Sequence, residues 1–412
     1  MKRMYFLLLV AIALVTCEKE RELAVNSTDL QEVVTHNKVS LKQALLYAEN
    51  SINGIKTTTR GAERKVKSTE IYVAKPATRS AEGAEVSFYL INYEDNQGFA
   101  MVSTDSRATP VYAYSDEGSL TAEDFETNPF LKIFIEGSVE NYQIEVANNS
   151  IYDPIEWPDS SNRDVLKYPI VEYKGGRYYR GDVTENIDKP QLLTTYWEQG
   201  APYNKNCQNS LAGCGPIAAA QIMAYHKHPL QFNGHIYNWN AMTASSTLSD
   251  GSAGAISAAQ LIYDIGSTAG INYPTETGVD IYRLRNTIEF FSYNCVEFIP
   301  NDNNYNYDIG RIRENIDDEL PVLIGGFPDN GAGHAWVIDG YNYHNSSITY
   351  YYTFAPYNVF ESIILSNYTY FHCNLGWGET HNKQTQNNGY YNANSLLYNN
   401  NLSVIYDITP NN

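Results

Sequence analysis

The sequence predicts an α+β chain in two parts, and three observations predict it. Between residues 85 and 115 the pattern alternates apolar with polar and is rich in β-branched and aromatic residues, as half-buried strands require. Helical apolar spacing flanks that stretch and recurs at 214–226, 257–270 and 281–291. Past residue 320 the chain turns strand-rich, through "LPVLIGG", "HAWVIDGYNYH", "SITYYYTF", "YTYFHCN" and "LSVIYDIT". Helices first and antiparallel strands second describe an α+β domain.

Taken in order, the chain opens with Lys2 and Arg3 before the apolar run "MYFLLLVAIALV", residues 4–15. That is the charged n-region and short h-region of an export signal, too short to span a bilayer. "LVTC", Leu14 to Cys17, resembles a bacterial lipobox with Thr16 where a smaller residue is usual, and the acidic "EKERE" after it resembles the export signal of surface lipoproteins. Residues 1–17 are therefore expected to be a signal with Cys17 lipidated, the other reading being an ordinary secretory signal with an incidental cysteine. No second segment is apolar enough to span a membrane, so membrane contact is expected only through that anchor, and the location outside the cytoplasm.

Residues 28–50 read as a helix on Leu30, Val33, Val34, Val39, Leu41, Ala44 and Leu45, and 51–82 as polar loop or exposed strand. A hairpin turning at "EDNQG" and a third strand follow, then a helix over 125–147 carrying Phe130, Ile133, Phe134, Val139, Tyr142 and Val146. The Pro-, Gly-, Asn- and Asp-rich stretch 148–190 is the expected connection. This divides the chain into a domain over 18–165, a linker over 166–189 and a second domain over 190–412. The 412 residues suffice for two cores. A net charge of −19 argues against nucleic acid as a partner. With Cys17 set aside, Cys207, Cys214, Cys295 and Cys373 form no compact disulfide framework, so free thiols are expected.

One of those thiols has an unusual setting. In "LAGCGPIAAAQIMAYHKHP", Gly213 permits a tight turn, Pro216 suits a first helical turn, and Ala218 to Ala224 continue as helix. Cys214 thus sits at a helix N-terminus, where unpaired N–H groups and the positive dipole end favour a thiolate. A nucleophile needs a base. His334, in "GAGHAWVIDGYNYH", follows the glycines that end at Gly333 and begins a strand. Asn374, in "FHCNLGWGE", can accept an imidazole N–H, and Trp377 can shield that bond from water. Cys, His and Asn in this order form a cysteine-protease constellation. His226 and His228 at i, i+2 share no helical face, so no metal pair is expected there, and nothing calls for a cofactor. His372 and Cys373, flanking Asn374, read as structural.

The segments "YWEQGAPYN", "GCGPIAAAQIMAYHKHP", "LPVLIGG…GHAWVIDGY", "CNLGWG" and "NGYYN" resemble the streptopain family of papain-like cysteine peptidases, in family order, over most of 190–395. The segment "FYLINYEDNQGFAMVSTDSRATPVYAYSDEGSL" resembles that family's inhibitory propeptide. The resemblance implies a papain-like domain preceded by an α+β propeptide domain, made as a zymogen that acts on proteins or peptides. It implies Cys214 as nucleophile, His334 as base, Asn374 as the residue orienting it, and Gln199 as an oxyanion-hole donor beside the Cys214 N–H. The chain departs from the family in Gly215-Pro216 after the cysteine, and in Leu375 and Glu379 of "NLGWGE". A catalytically silent binding protein on the same fold, and a related GCGP-type peptidase or transpeptidase, are the other readings.

Overall fold

The computed structural model describes residues 37–54, 64–74, 85–148, 170–298, 309–352, 355–378, 387–397 and 402–411. The expected signal, Cys17 and the start of the first expected helix lie outside them. So does Glu379.

The N-terminal part contains α1 (Leu41–Gly54), β1 (Val66–Ala74), β2 (Val86–Tyr93), β3 (Phe99–Ser103), β4 (Val111–Ser115), a short α2 (Asp124–Thr127) and α3 (Pro129–Ala147). Among the described residues the expected helix begins at Leu41, because Val39 donates its N–H to the Thr104 carbonyl and Lys38 bridges to Asp105. The β2–β3 turn puts Asp95 and Asn96 at positive φ, which short polar side chains tolerate. Asn128 caps α3 by accepting the N–H of Phe130 at 3.0 Å, with Pro129 at the first helical position. The buried Glu145 carboxylate accepts the N–H and the hydroxyl of Thr109, both at 2.7 Å, which docks α3 on the strand turn before β4.

The stretch expected as linker is structured from Ile170. It forms β5 (Ile170–Tyr173) and β6 (Gly176–Lys189), a hydrogen-bonded hairpin. Its glycines and Asp/Asn residues belong to a turn and an exposed strand, whose composition resembles that of a loop. Beyond it come α4 (Cys214–His226), β7 (Gln231–Phe232), β8 (His235–Ile236), α5 (Trp239–Met242), α6 (Ala253–Thr268), α7 (Ile281–Phe290), β9 (Tyr293–Phe298) and α8 (Ile309–Asp317). The strand-rich end holds β10 (Val322–Gly326), β11 (His334–Tyr352), β12 (Ala355–Asn374), β13 (Gly389–Asn392), a short α9 (Ala393–Leu396) and β14 (Ser403–Pro410). Two strands expected on either side of His344 are one strand. The polar "HNS" there pairs with Thr184–Asn186 of β6 rather than turning.

One antiparallel sheet carries both parts, in the order β1-β2-β3-β4-β13-β12-β11-β10-β14-β9, with β6 alongside the outer half of β11. The seam is β4–β13, where Tyr390 faces Tyr114 and Tyr391 faces Ala113. Residues 37–412 accordingly form one compact unit. One core holds α3 side chains together with Phe88, Met101, Trp336, Tyr391 and Val404, so it draws on both parts. A second core packs α4, α6 and α7 against Leu323, Val337 and Ile405. A third is tyrosine-rich and sets α1 against β2–β4 and Tyr368, Tyr370 and Tyr390.

Phe130 sits in the first core with its ring edge-on to Trp336 at 5.0 Å and Tyr391 at 4.8 Å. Truncating it leaves a cavity between the two parts. Phe130→Ala is expected to destabilise the full chain by about 3–5 kcal/mol, read as a lower urea midpoint at an unchanged m-value.

Candidate active site

α4 is buried from Gly215 to Ala224, and its small residues let neighbouring elements approach closely. At its start Gly213 has φ +91 and no room for a side chain, since a Cβ would run into the Thr277 carbonyl. That turn presents the half-buried Cys214 at the helix N-terminus. Burial pushes its thiol up from the ordinary value. The N–H groups of Ala335, Gly215 and Cys214 itself oppose that rise. Cys207, Cys295 and Cys373 are buried and none of them is in a disulfide among the described residues.

His334 opens β11. Its backbone is fixed by Gly333, where a Cβ would meet the Phe327 ring at 2.5 Å. The His334 ring lies nearly parallel to Trp336 (centroids 6.2 Å, 9°) and to Trp377 (5.2 Å, 11°). Trp336 stands two residues along the same strand, hence on the same face. His334 Nε2 donates to the Leu375 carbonyl at 2.9 Å, which leaves Nδ1 as the unprotonated nitrogen. Burial pushes its pKa down to about 4, against a smaller upward pull from Leu375. Neither His334 nor Cys214 has the other as a hydrogen-bond partner.

Asn374 is brought next to this site without contacting His334. Its Nδ2 donates to the Thr195 carbonyl at 2.9 Å, and its Oδ1 accepts the Gly376 N–H at 3.2 Å. Its other partner is Gln221 on α4, through Gln221 Nε2 to Asn374 Oδ1 at 3.2 Å. The Gln199 carbonyl accepts the Ala212 N–H at 2.9 Å, two residues before Cys214. Glu198 bridges to Trp377, which keeps Gln199 beside the loop that supports His334. The Gln199 side chain is half-buried. His372 is held by Asp339 through Nδ1 to Oδ1 at 2.6 Å, and Asp339 also accepts the Leu193 N–H, a buried structural link. His226 ends α4 as the spacing suggests. Among the described residues no three His, Cys, Asp or Glu side chains group as metal ligands.

Sequence reasoning missed three contributors. Trp336 lies parallel to the imidazole along the same strand, and the Leu375 carbonyl takes its proton-bearing nitrogen. Gln221 was passed over as one more helical residue, although it is polar in an otherwise apolar run and fully buried. The α3 helix of the N-terminal part stands directly behind the site. Phe130 packs on Trp336, and the Glu136 carboxylate accepts the Asp329 N–H (3.0 and 3.2 Å) in the loop leading to His334.

Two family models match the chain, one over each part. Residues 197–391 match the model of the Peptidase C10 family, and residues 36–142 that of the Spi protease inhibitor. Streptopain of Streptococcus pyogenes is 24% identical over 349 residues, 74% of this chain and 77% of its own. The thiol protease/hemagglutinin PrtT of Porphyromonas gingivalis is 24% identical over 186 residues, 43% of this chain and 19% of its own. A solved fragment of Prevotella intermedia prointerpain A superposes with a TM-score of 0.52 at 19% identity, covering 82% of this chain and 98% of that one. That likeness bears on the fold, the papain-like α+β arrangement with its preceding segment.

Burial pushes three imidazoles, His226, His334 and His344, down to about 4 from an ordinary 6.5. Between these values the unfolded chain binds protons that the folded chain does not. Their contribution to stability is therefore complete above about 6.5 and lost as pH falls toward 4. Urea midpoints of the full chain are expected to fall steadily from pH 7 to pH 4.5. A flat profile would contradict neutral, buried imidazoles.

Proposed function

The chain belongs to the C10 family of cysteine peptidases and carries a Spi-type inhibitor segment ahead of its peptidase part, and from that premise we propose that it is an exported cysteine endopeptidase held latent until that segment is released. Residues 18–165 are the propeptide in this reading and residues 190–412 the peptidase domain, with 166–189 between them. Export follows from the N-terminal signal, with Cys17 as the lipidation site. The hydrogen-bonded β5–β6 hairpin disfavours cutting between them, because a peptidase needs an extended, unpaired strand. The activating cut is therefore expected before Ile170, in the first half of the 148–190 interval the composition suggested.

The observation that carries this reading is that Gly376 lies against Ile217 in the first turn of the Cys214 helix, while Leu375 beside it holds His334 Nε2, which brings the imidazole to the end of α4 that bears the thiol. A small rotation of the His334 ring that keeps Nε2 on the Leu375 carbonyl brings Nδ1 toward Sγ. Proton transfer then gives a thiolate–imidazolium pair. The thiolate attacks the scissile carbonyl carbon. The Gln199 amide and the Cys214 N–H stabilise the oxyanion, His334 protonates the departing amine, and water deprotonated by His334 hydrolyses the thioester. Asn374, the last residue of β12, serves His334 by way of the following Leu375 carbonyl. In the full-length chain the thiol is raised and the imidazole lowered, so both groups are neutral and the site is at rest.

The test uses the chain from residue 18 with Cys17 replaced, under reducing conditions at neutral pH, beside its Cys214→Ala partner. The unsubstituted chain is expected to trim itself and then digest casein. Cys214→Ala is expected to stay intact, with casein hydrolysis reduced on the order of 1000-fold or more even after cutting with a trace of trypsin. Iodoacetamide should label Cys214 of the uncut chain only at alkaline pH and Cys214 of the processed enzyme already at pH 6. Equal activity of the two chains would overturn the assignment of Cys214.

A further inference from the structure

We infer that Gln221 is a positioning residue for the catalytic base, acting through Asn374 and the Leu375 carbonyl; this rests on the Cys214–His334 reading above. Gln221 lies seven residues after Cys214, about 10 Å along the helix axis, so it does not touch the reacting atoms. It is fully buried, the one strongly polar side chain in the apolar middle of α4. A buried amide costs stability unless its groups are bonded, and every contact this one makes goes to a segment that serves the site. Its Oε1 accepts the Thr195 hydroxyl and the Trp197 N–H, both at 3.1 Å. Its Nε2 donates to Asn374 Oδ1 at 3.2 Å, and Asn374 Nδ2 returns a longer contact to Gln221 Oε1 at 3.4 Å. The two side-chain amides thus form a closed pair, locked further by Asn374 Nδ2 on the Thr195 carbonyl.

What hangs from this pair is specific. Trp197 leads in two residues to Gln199, and Glu198 between them bridges to Trp377, the ring stacked on His334. Asn374 leads in one residue to Leu375, whose carbonyl holds His334 Nε2. One amide on the nucleophile's helix therefore fixes the helix, the oxyanion loop and the acceptor of the base at a common distance. In this arrangement the Leu375 carbonyl orients the imidazole, and Asn374 acts on that carbonyl's position rather than on the ring. Loss of the acceptor disfavours the imidazolium. The thiol then ionises less readily and the imidazolium loses its proton more readily, so both limbs of the pH–rate profile move inward.

The experiment compares full-length Gln221→Leu, Asn374→Ala and the double variant after processing, with trypsin supplied where self-trimming is slow. Fluorescein-labelled casein is the substrate. Gln221→Leu is expected to lower kcat by about 10–100-fold, as a misplacement near 1 Å does, with KM changed less than about threefold. Both limbs of kcat/KM should close inward. Asn374→Ala should match it, and the double variant should be no worse than either, since the pair acts as one device. The inference is overturned if Gln221→Leu lowers only the melting temperature while kcat and both limbs stay put. It is equally overturned if Asn374→Ala is crippled while Gln221→Leu is normal, which would put Asn374 on the ring directly. Should Gln221→Leu fail to fold, Thr195→Val removes a single hydroxyl from the same amide. It should shift the limbs inward by a smaller amount, and an unshifted profile there overturns the inference. Cys214→Ala is run in parallel. If that chain is active, the nucleophile assignment has failed, and the result says nothing for or against Gln221.

Discussion

The arrangement around His334 depends on one constraint: a neutral, buried imidazole lying parallel to two indoles with one N–H given to a backbone carbonyl. Removing an ionisable ring from water costs less when the ring is neutral, so this environment selects the uncharged base. The same low polarity raises the Cys214 thiol. Proximity of the two residues is therefore not enough for chemistry. The surroundings decide the charge state, and here they decide against the ion pair. Because Trp336 belongs to a core that α3 completes, the state of the His334 imidazole is linked to the presence of the N-terminal part.

That link is made of ordinary packing. The N-terminal part adds its strands to the edge that β13 offers, so the two parts share backbone hydrogen bonds across the seam as well as apolar area. Phe130 and Phe134 fill the space against Tyr391, while Glu136 holds the Asp329 backbone. Several modest contacts of different kinds act at one place. None of them need touch the thiol to influence it, since each fixes Trp336 or the loop before His334.

Much of the site was legible in the sequence, and for physical reasons. Cys214 was visible because glycine before it and Pro216 after it can only serve a turn entering a helix. His334 was visible because glycines before a strand leave an edge residue free to face a cleft. The helices α3, α6 and α7 followed from their spacing. The shared sheet was not legible, since nothing local in "VYAYS" or "NGYYN" names its partner strand. Ile170–Lys189 was misread because a solvent-exposed strand and a linker draw on the same polar residues. Gln221 was invisible for a third reason. A polar residue amid alanines looks like a surface position until the fold shows that the helix is buried all round, and the carbonyl of Leu375 carries no side-chain signature at all.

The seam between β4 and β13 has a further consequence. While the backbone is intact, the N-terminal part is an attached ligand whose effective concentration is set by the tether, and its occupancy does not depend on how much protein is present. Cutting the tether leaves every contact in place but makes occupancy subject to dilution. The same molecule is then silent where the cleaved pair is crowded and released where it disperses, so latency turns from a property of the chain into one of the volume around it.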